Sequence, residues 1–261
     1  MCLVALAWKT HPRWRLLMAG NRDEFHARPA AALQPWDSNT GRVIAGRDLR
    51  SGGTWVGASV DGRAGVVTNF RDPLASASGP SRGQLVADYL AGHSSAGIYT
   101  QVLADRAAEY PPFNLVLADA DSCQFLGNHP LHRLALAPGL HGMSNGALDA
   151  PWPKTRRLMA ALAGWLDGAG AAFDPLWDAL ADETVAADVE LPDTGIDLDL
   201  ERRLSSAFIR GHDYGTRAST LVAIDHSGAG FIHERRFGAD GAALGETRVE
   251  IPGGGTEAPC R

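Results

Sequence analysis

Apolar runs separated by short polar breaks set the pattern of this chain. Residues 2–8 are apolar throughout, residues 9–13 form a polar turn, and residues 14–20 return as a second run, which together predict a hairpin. Residues 54–60 and 64–70 flank Asp61-Gly62, a strong hairpin turn signal, after the Gly52-Gly53 pair. A stretch rich in Ser, Ala, Gly and Pro over residues 71–80 predicts a loop. Ser81 with Gln84 is a capping-box pattern and predicts a helix to about residue 91. A second helix is predicted over 98–109, ahead of Pro111-Pro112. Strands are predicted at 113–118, 123–127, 134–137 and 140–144. Pro153 opens a helix to about residue 166, and another covers 175–181. The acidic stretch 182–201 carries Pro192 and Gly195 and predicts an exposed loop with little order. A late hairpin over 218–224 and 231–237 turns at Ser227-Gly228, with an edge strand at 248–251.

Strands come in hairpins and helices in blocks. They do not alternate singly, which argues against a doubly wound parallel sheet. Runs such as 2–8, apolar without strict alternation, predict sheets buried on both faces. The expectation is an α+β fold, a four-layer αββα sandwich of two antiparallel sheets flanked by helices. Residues 1–251 are expected to form one domain and 252–261 a flexible tail.

Composition narrows the function classes. The 261 residues are 45% hydrophobic and 21% charged, with a net charge of −6, so there is no global basic footprint for nucleic acid or an anionic membrane. Lys9 and Lys154 are the only lysines; arginine carries nearly all the positive charge. The three cysteines, Cys2, Cys123 and Cys260, form no CxxC pair, which predicts free thiols and a reducing, cytoplasmic setting. No stretch approaches the ~18 apolar residues of a membrane span. The first residues lack the basic region and cleavage site of a secretory signal. Lipid anchoring at Cys2 is not expected without such a signal, and Cys260 stands second from the end, off the prenylation pattern. Among the nine histidines, His129 and His132 are three apart but have no accompanying ligand set. No metal site, phosphate loop or cofactor is expected.

Cys2 reads either as a small core residue or as a nucleophile. The cluster Asn21-Arg22-Asp23-Glu24 follows the return strand of the first hairpin, so it should lie beside the chain start. Alternate residues of an extended chain share a face, which groups Asn21 with Asp23 and Arg22 with Glu24. Either pair could orient groups at Cys2; strand geometry favours Asp23, with Asn21, as the pair facing the site. Asn69 and Asn145 each end a predicted strand, either as turn residues or as donors to a developing oxyanion. Arg71 follows Asn69, and Arg217 precedes a late strand.

Taken in order, Met1-Cys2, Asn21-Arg22-Asp23-Glu24, Thr68-Asn69-Phe70-Arg71, Ser144-Asn145 and Tyr214-Gly215-Thr216-Arg217 resemble the NRDE family, which includes the transport and Golgi organisation protein 2 homologues. More distantly they resemble the cholylglycine hydrolase and penicillin V acylase group of N-terminal nucleophile hydrolases. That group has an Arg and an Asp three positions apart after the first hairpin, whereas Arg22 and Asp23 here are adjacent. The resemblance implies removal of Met1, Cys2 as nucleophile with its α-amine as base, Asp23 holding the amine, Asn69 and Asn145 as oxyanion donors, and Arg217 near the thiolate or a substrate carboxylate. Asn21, Arg22, Glu24 and Arg71 would support the site. The implied substrate is an N-acyl amide with a non-peptide carbon–nitrogen bond. The alternative is a non-catalytic carrier of haem or lipid-derived cargo, for which His26 is a candidate axial ligand.

Overall fold

The computed structural model describes residues 2–36, 42–76, 78–168 and 172–253. The predicted tail falls mostly outside these; within it, the Gly253 amide donates to the Val60 carbonyl.

The chain opens with β1 (Cys2–Trp8), β2 (Trp14–Phe25), β3 (Ala30–Pro35), β4 (Val43–Asp48), β5 (Val56–Ser59) and β6 (Ala64–Asn69). Helices α1 (Arg82–Ala91) and α2 (Ala96–Ala104) follow, then β7 (Phe113–Ala118), β8 (Cys123–Asn128), β9 (Leu131–Ala135) and β10 (Gly139–Met143). The last part holds α3 (Pro153–Asp167), α4 (Asp174–Leu180), α5 (Leu198–Arg203), β11 (Tyr214–Asp225), β12 (Gly230–Phe237) and β13 (Ala243–Ile251). One antiparallel sheet has the order β10-β1-β2-β11-β12-β13, and the other is a plain meander from β3 to β9.

Side-chain alternation builds the layers. In β1, Val4, Leu6 and Trp8 enter the core between the sheets, with Ile44, Val66, Val116 and Phe125 of the meander. Leu3, Ala5 and Ala7 point the other way, onto Leu158 and Leu162 of α3 and Leu176 of α4. On the far side of the meander, Leu115 and Leu117 of β7 pack on Leu85, Val86 and Leu90 of α1. This is the expected αββα sandwich. Every residue of β1 is buried, which explains a run with no polar alternation. Each fully buried Leu in these layers contributes roughly 1.5–3 kcal/mol of transfer free energy.

Several elements differ from the sequence reading. β3 and β4 were not anticipated: AAALQP and VIAGRD are short, rich in Ala and Gly, and carry little strand signal. β2 runs on to Phe25 through the polar cluster, because β11 pairs with it from Tyr214 to Asp225. The helix expected over 98–109 is α2 followed by a 3-10 turn at Ala107–Glu109. The acidic stretch 182–201 is not all loop: it includes a 3-10 turn at Asp188–Glu190 and the start of α5, capped by the Asp197 carboxylate. Ser81 takes the N-cap position of α1, but its side chain makes no cap bond, and the Gln84 amide instead donates to Asp88.

Candidate active site

The first hairpin brings the chain start to the polar cluster in a definite register. Cys2 pairs with Arg22, and Leu3 with Asn21. Directly opposed residues of an antiparallel pair share a face, so Cys2, Arg22 and Glu24 look into the space between the sheets. Asn21 and Asp23 look toward the helices. Alternation had sorted the four residues correctly, but Cys2 lies with the other pair from the one favoured on strand geometry. The register of the hairpin decides that, and the register depends on the turn at 9–13.

Both faces are fully engaged. On the helix side, Asn21 Nδ2 donates to the carbonyls of Leu180 and Ala207, each at 2.8 Å, and Asn21 Oδ1 accepts from Ser219 at 2.6 Å. Asn21 thus ties β2 to β11 and to the end of α4. Asp23 is 2% exposed and accepts from the Thr216 hydroxyl at 2.7 Å. Burial raises its pKa, opposed first by the charge of Lys154. Lys154 is itself 2% exposed and donates to the Leu204 carbonyl at 2.9 Å. Burial lowers its pKa, and Asp23 acts against that.

On the inter-sheet side, a cleft of about 620 Å³ opens over Cys2. Arg22, Glu24, Asn69, Arg82 and Arg217 also line it. Arg22 lies 3.6 Å from both Glu24 and Asp48, and Arg28 Nε reaches Asp48 at 2.5 Å. Burial works to raise the Asp48 pKa, but the Arg28 bond and the Ser51 and Arg50 amides outweigh it and hold the group low. Arg217 sits at a bulge in the pairing of β11 with β2, and its Nη1 donates to the carbonyls of Phe25 and Arg28, each at 2.9 Å.

Cys2 is buried yet faces the cleft. Burial raises its thiol pKa; Arg22 and a hydrogen bond from the Asp23 backbone amide act in the opposite direction. Because the thiolate is the reactive form, in the chain that retains Met1 alkylation of Cys2 by iodoacetamide should be slow at neutral pH and still be climbing at about pH 9. Peptide mass mapping reads this, and a plateau below about pH 8 would contradict it.

The two asparagines are adjacent but play different parts. Asn69 lines the cleft at the end of β6. Asn145 is fully buried, and its Nδ2 donates to the Asn69 carbonyl at 2.7 Å. The Asn145 carbonyl accepts from the Arg71 amide, also at 2.7 Å. Ser144 bonds the Cys2 carbonyl at 2.9 Å, and Thr68 bonds the Ser144 carbonyl at 2.6 Å, so the segments carrying Cys2, Asn69 and Asn145 are stitched together. Arg71 points away from the cleft, to Glu201 of α5 at 2.5 Å and over the Trp152 ring.

His26 does not line the cleft; its ring packs against Gly215 at the start of β11, with both nitrogens buried. No group of three or more potential metal-ligating side chains occurs among the described residues. No helix among them is long and apolar enough to cross a membrane.

Sequence reasoning missed Lys154, Thr216, Asp48 and Arg82. For Lys154 a signal was present. It stands at helical spacing with Leu158, Leu162 and Trp165, on the buried stripe of α3. A lysine on such a stripe needs a buried partner.

The sequence model of the family Transport and Golgi organisation 2 matches residues 1–239. A Transport and Golgi organization protein 2 homolog from Bos taurus is 30% identical over 92% of this chain and 95% of its own length. The Homo sapiens homolog is 27% identical over 95% and 98%. Among solved structures, a C2A mutant of a conjugated bile acid hydrolase from Clostridium perfringens superimposes with a TM-score of 0.56 over 96% of this chain and 92% of that one, at 9% identity. At that identity the likeness is one of fold.

Proposed function

The chain belongs to the Transport and Golgi organisation 2 family, and from that premise we propose that it is an N-terminal cysteine amidohydrolase acting on non-peptide N-acyl amides. The observation that carries this reading is the position of Cys2, at the floor of a 620 Å³ cleft with Asn69 and Arg22 beside it, in a sandwich that resembles a hydrolase fold.

Removal of Met1 leaves a thiol and a free α-amine on one residue. With a pKa of about 7.7–8.0, that amine takes the thiol proton near neutral pH. The sulfur adds to the amide carbonyl, and the new oxyanion accepts from the Asn69 side chain. The carbon–nitrogen bond breaks as the ammonium returns its proton to the leaving amine. Water then hydrolyses the thioester, releasing a carboxylic acid and restoring the thiol. In this reading Asp23 and Lys154 hold the field beneath the chain start, and Asn145 positions Asn69 through its carbonyl. Arg217 supports the electrostatics of the cleft wall.

Intact-mass spectrometry gives the first test. Full retention of Met1 in the purified chain would remove the base and sink the mechanism. The second is trapping of an acyl group on Cys2 with a panel of N-acyl amides. Asn69→Ala is expected to lower kcat by about 100- to 1,000-fold with a smaller effect on KM, as for the loss of one oxyanion donor. Steady-state kinetics would check this, and an unchanged kcat would take Asn69 out of the oxyanion role.

A further inference from the structure

Helix α5 inverts the usual amphipathic arrangement. It leaves Leu198 and Leu200 exposed, and the residue it buries is Glu201, at 4% exposure. Taking a carboxylate out of water is unfavourable unless charged partners compensate, and leaving two leucines in water forgoes the usual gain. The helix therefore brings a charge, not an apolar face, to the body of the protein.

What Glu201 meets is a set of buried charges behind the chain start. Its Oε2 accepts from Arg71 Nη1 at 2.5 Å, and the Thr194 hydroxyl donates to its Oε1. Leu204, which closes α5, accepts from Lys154 Nζ at 2.9 Å through its carbonyl. Burial lowers the Lys154 pKa. Asp23 of β2 opposes this most, Arg71 in the loop after β6 adds to it, and Cys2 of β1 and Glu201 of α5 oppose it. Arg22 and the Thr216 hydroxyl also act on Asp23, and Tyr214 lies within its field.

Asp23 and Lys154 balance each other, and Arg71 disturbs the balance. A second buried cation near Lys154 drives the lysine toward its neutral form, because lysine yields its proton far more readily than arginine. Glu201 neutralises Arg71 and adds its own attraction for the lysine.

We propose that Glu201 is a positioning residue for the Cys2 site: its carboxylate, delivered by α5, keeps Lys154 charged against Arg71 and so keeps Asp23 an anion beneath the chain start. The effect on turnover rests on the amidohydrolase reading, while the charge link is a property of the folded chain. The same ion pair braces the turn after Asn69, because the Arg71 amide donates to the Asn145 carbonyl at 2.7 Å.

Lys9 and Lys154 are the only lysines, so full-length chain made with isotope-labelled lysine gives two side-chain signals whose titration NMR follows directly. Lys9 is exposed, and Lys9→Arg identifies its signal. Glu201→Gln keeps the shape and an acceptor for Thr194 but removes the charge. It is expected to lower the proton affinity of Lys154 about tenfold, and Asp23→Asn, which removes the largest opposing charge, to lower it at least as far. Adding Arg71→Met to Glu201→Gln removes both members of the buried pair and should return the affinity to within about threefold of wild type. In turnover, the alkaline fall of kcat should begin at lower pH in Glu201→Gln, with KM within about twofold of wild type, and should move back in the double variant. A Lys154 titration unchanged in Glu201→Gln, or a kcat profile that does not follow the lysine, would each overturn the proposal. If Glu201→Gln does not fold, the double variant decides: a loss of Lys154 affinity as large as in Asp23→Asn would overturn it, and near-wild-type affinity would support it. Failure of acyl trapping on wild-type Cys2 would refute the hydrolase reading, and the lysine titration would still decide the charge link.

Discussion

Replacing Cys2 with alanine should abolish acyl-enzyme formation and cut amide hydrolysis by about four to six orders of magnitude, the scale seen when a nucleophile is removed from a concerted site. The fold should survive. Cys2 begins β1 with its side chain toward the cleft, while Leu3, Val4 and Leu6 carry the packing of that strand. Losing one sulfur from the lining of a cleft enlarges the cleft and leaves no sealed cavity, so the stability cost should be small. Two measurements together decide the matter: turnover of any N-acyl amide that the wild type cleaves, and the melting temperature of both chains. Turnover within tenfold of wild type, or equal acyl labelling of the alanine variant, would remove Cys2 from the chemistry. A large loss of stability would return Cys2 to the reading of a small core residue.

The second large effect concerns Lys154. Lys154→Met should destabilise the chain by about 3 kcal/mol, in the range for breaking a buried charge pair from one side. For a chain of this size that is a fall in Tm of about 6–12 °C. The reason is the Asp23 carboxylate, which is buried with the Thr216 hydroxyl as a hydrogen-bond donor and Lys154 as the largest opposing charge. The penalty should depend on pH. Burial already raises the Asp23 pKa, and removing Lys154 raises it further, so the folded state takes up a proton as pH falls and the unpaired charge disappears. The stability difference between wild type and variant should therefore be larger at pH 8 than at pH 5. Adding Asp23→Asn to Lys154→Met should recover part of the loss, because it removes the charge left uncompensated. Thermal melts across this pH range would check the sign; a penalty independent of pH would mean that Lys154 acts through packing alone.

Much of this was legible in the residues, for identifiable reasons. The hairpin of β1 and β2 and the central strands of the meander announce themselves as apolar runs bounded by turn residues. The helices α1 and α3 could be placed from Ser81 and Pro153, although Ser81 turned out not to use its hydroxyl as a cap. The strands β3 and β4 lack β-branched density and owe their form to pairing along the sheet edge, which no local window contains. At the site, period-two alternation separated Asn21 and Asp23 from Arg22 and Glu24. Which pair shares a face with Cys2 depended on the exact pairing partner, a fact of register and not of composition. Lys154 and Arg82 arrive from helices far along the chain. Their approach to the chain start is a product of layer packing, and only the misfit of a lysine on an apolar stripe hinted at it.

The two sheets also differ in when they can be completed. The meander joins each strand to its neighbour in the chain, so apart from the β6–β7 link through α1 and α2 its contacts close over short loops and can form as the residues leave the ribosome. The sheet that houses Cys2 is closed on one side by β10 and on the other, through β2, by β11, which begins at Tyr214. The first residues synthesised are therefore among the last to be enclosed. In the finished fold Cys2 is only 8% exposed. A processing enzyme that trims the chain start has its best access while β10 and β11 are still unmade. On the amidohydrolase reading proposed above, exposure of the Cys2 amine then becomes a race between trimming and translation, and slowing translation upstream of residue 139 should raise the trimmed fraction, which is readable by mass in the isolated protein.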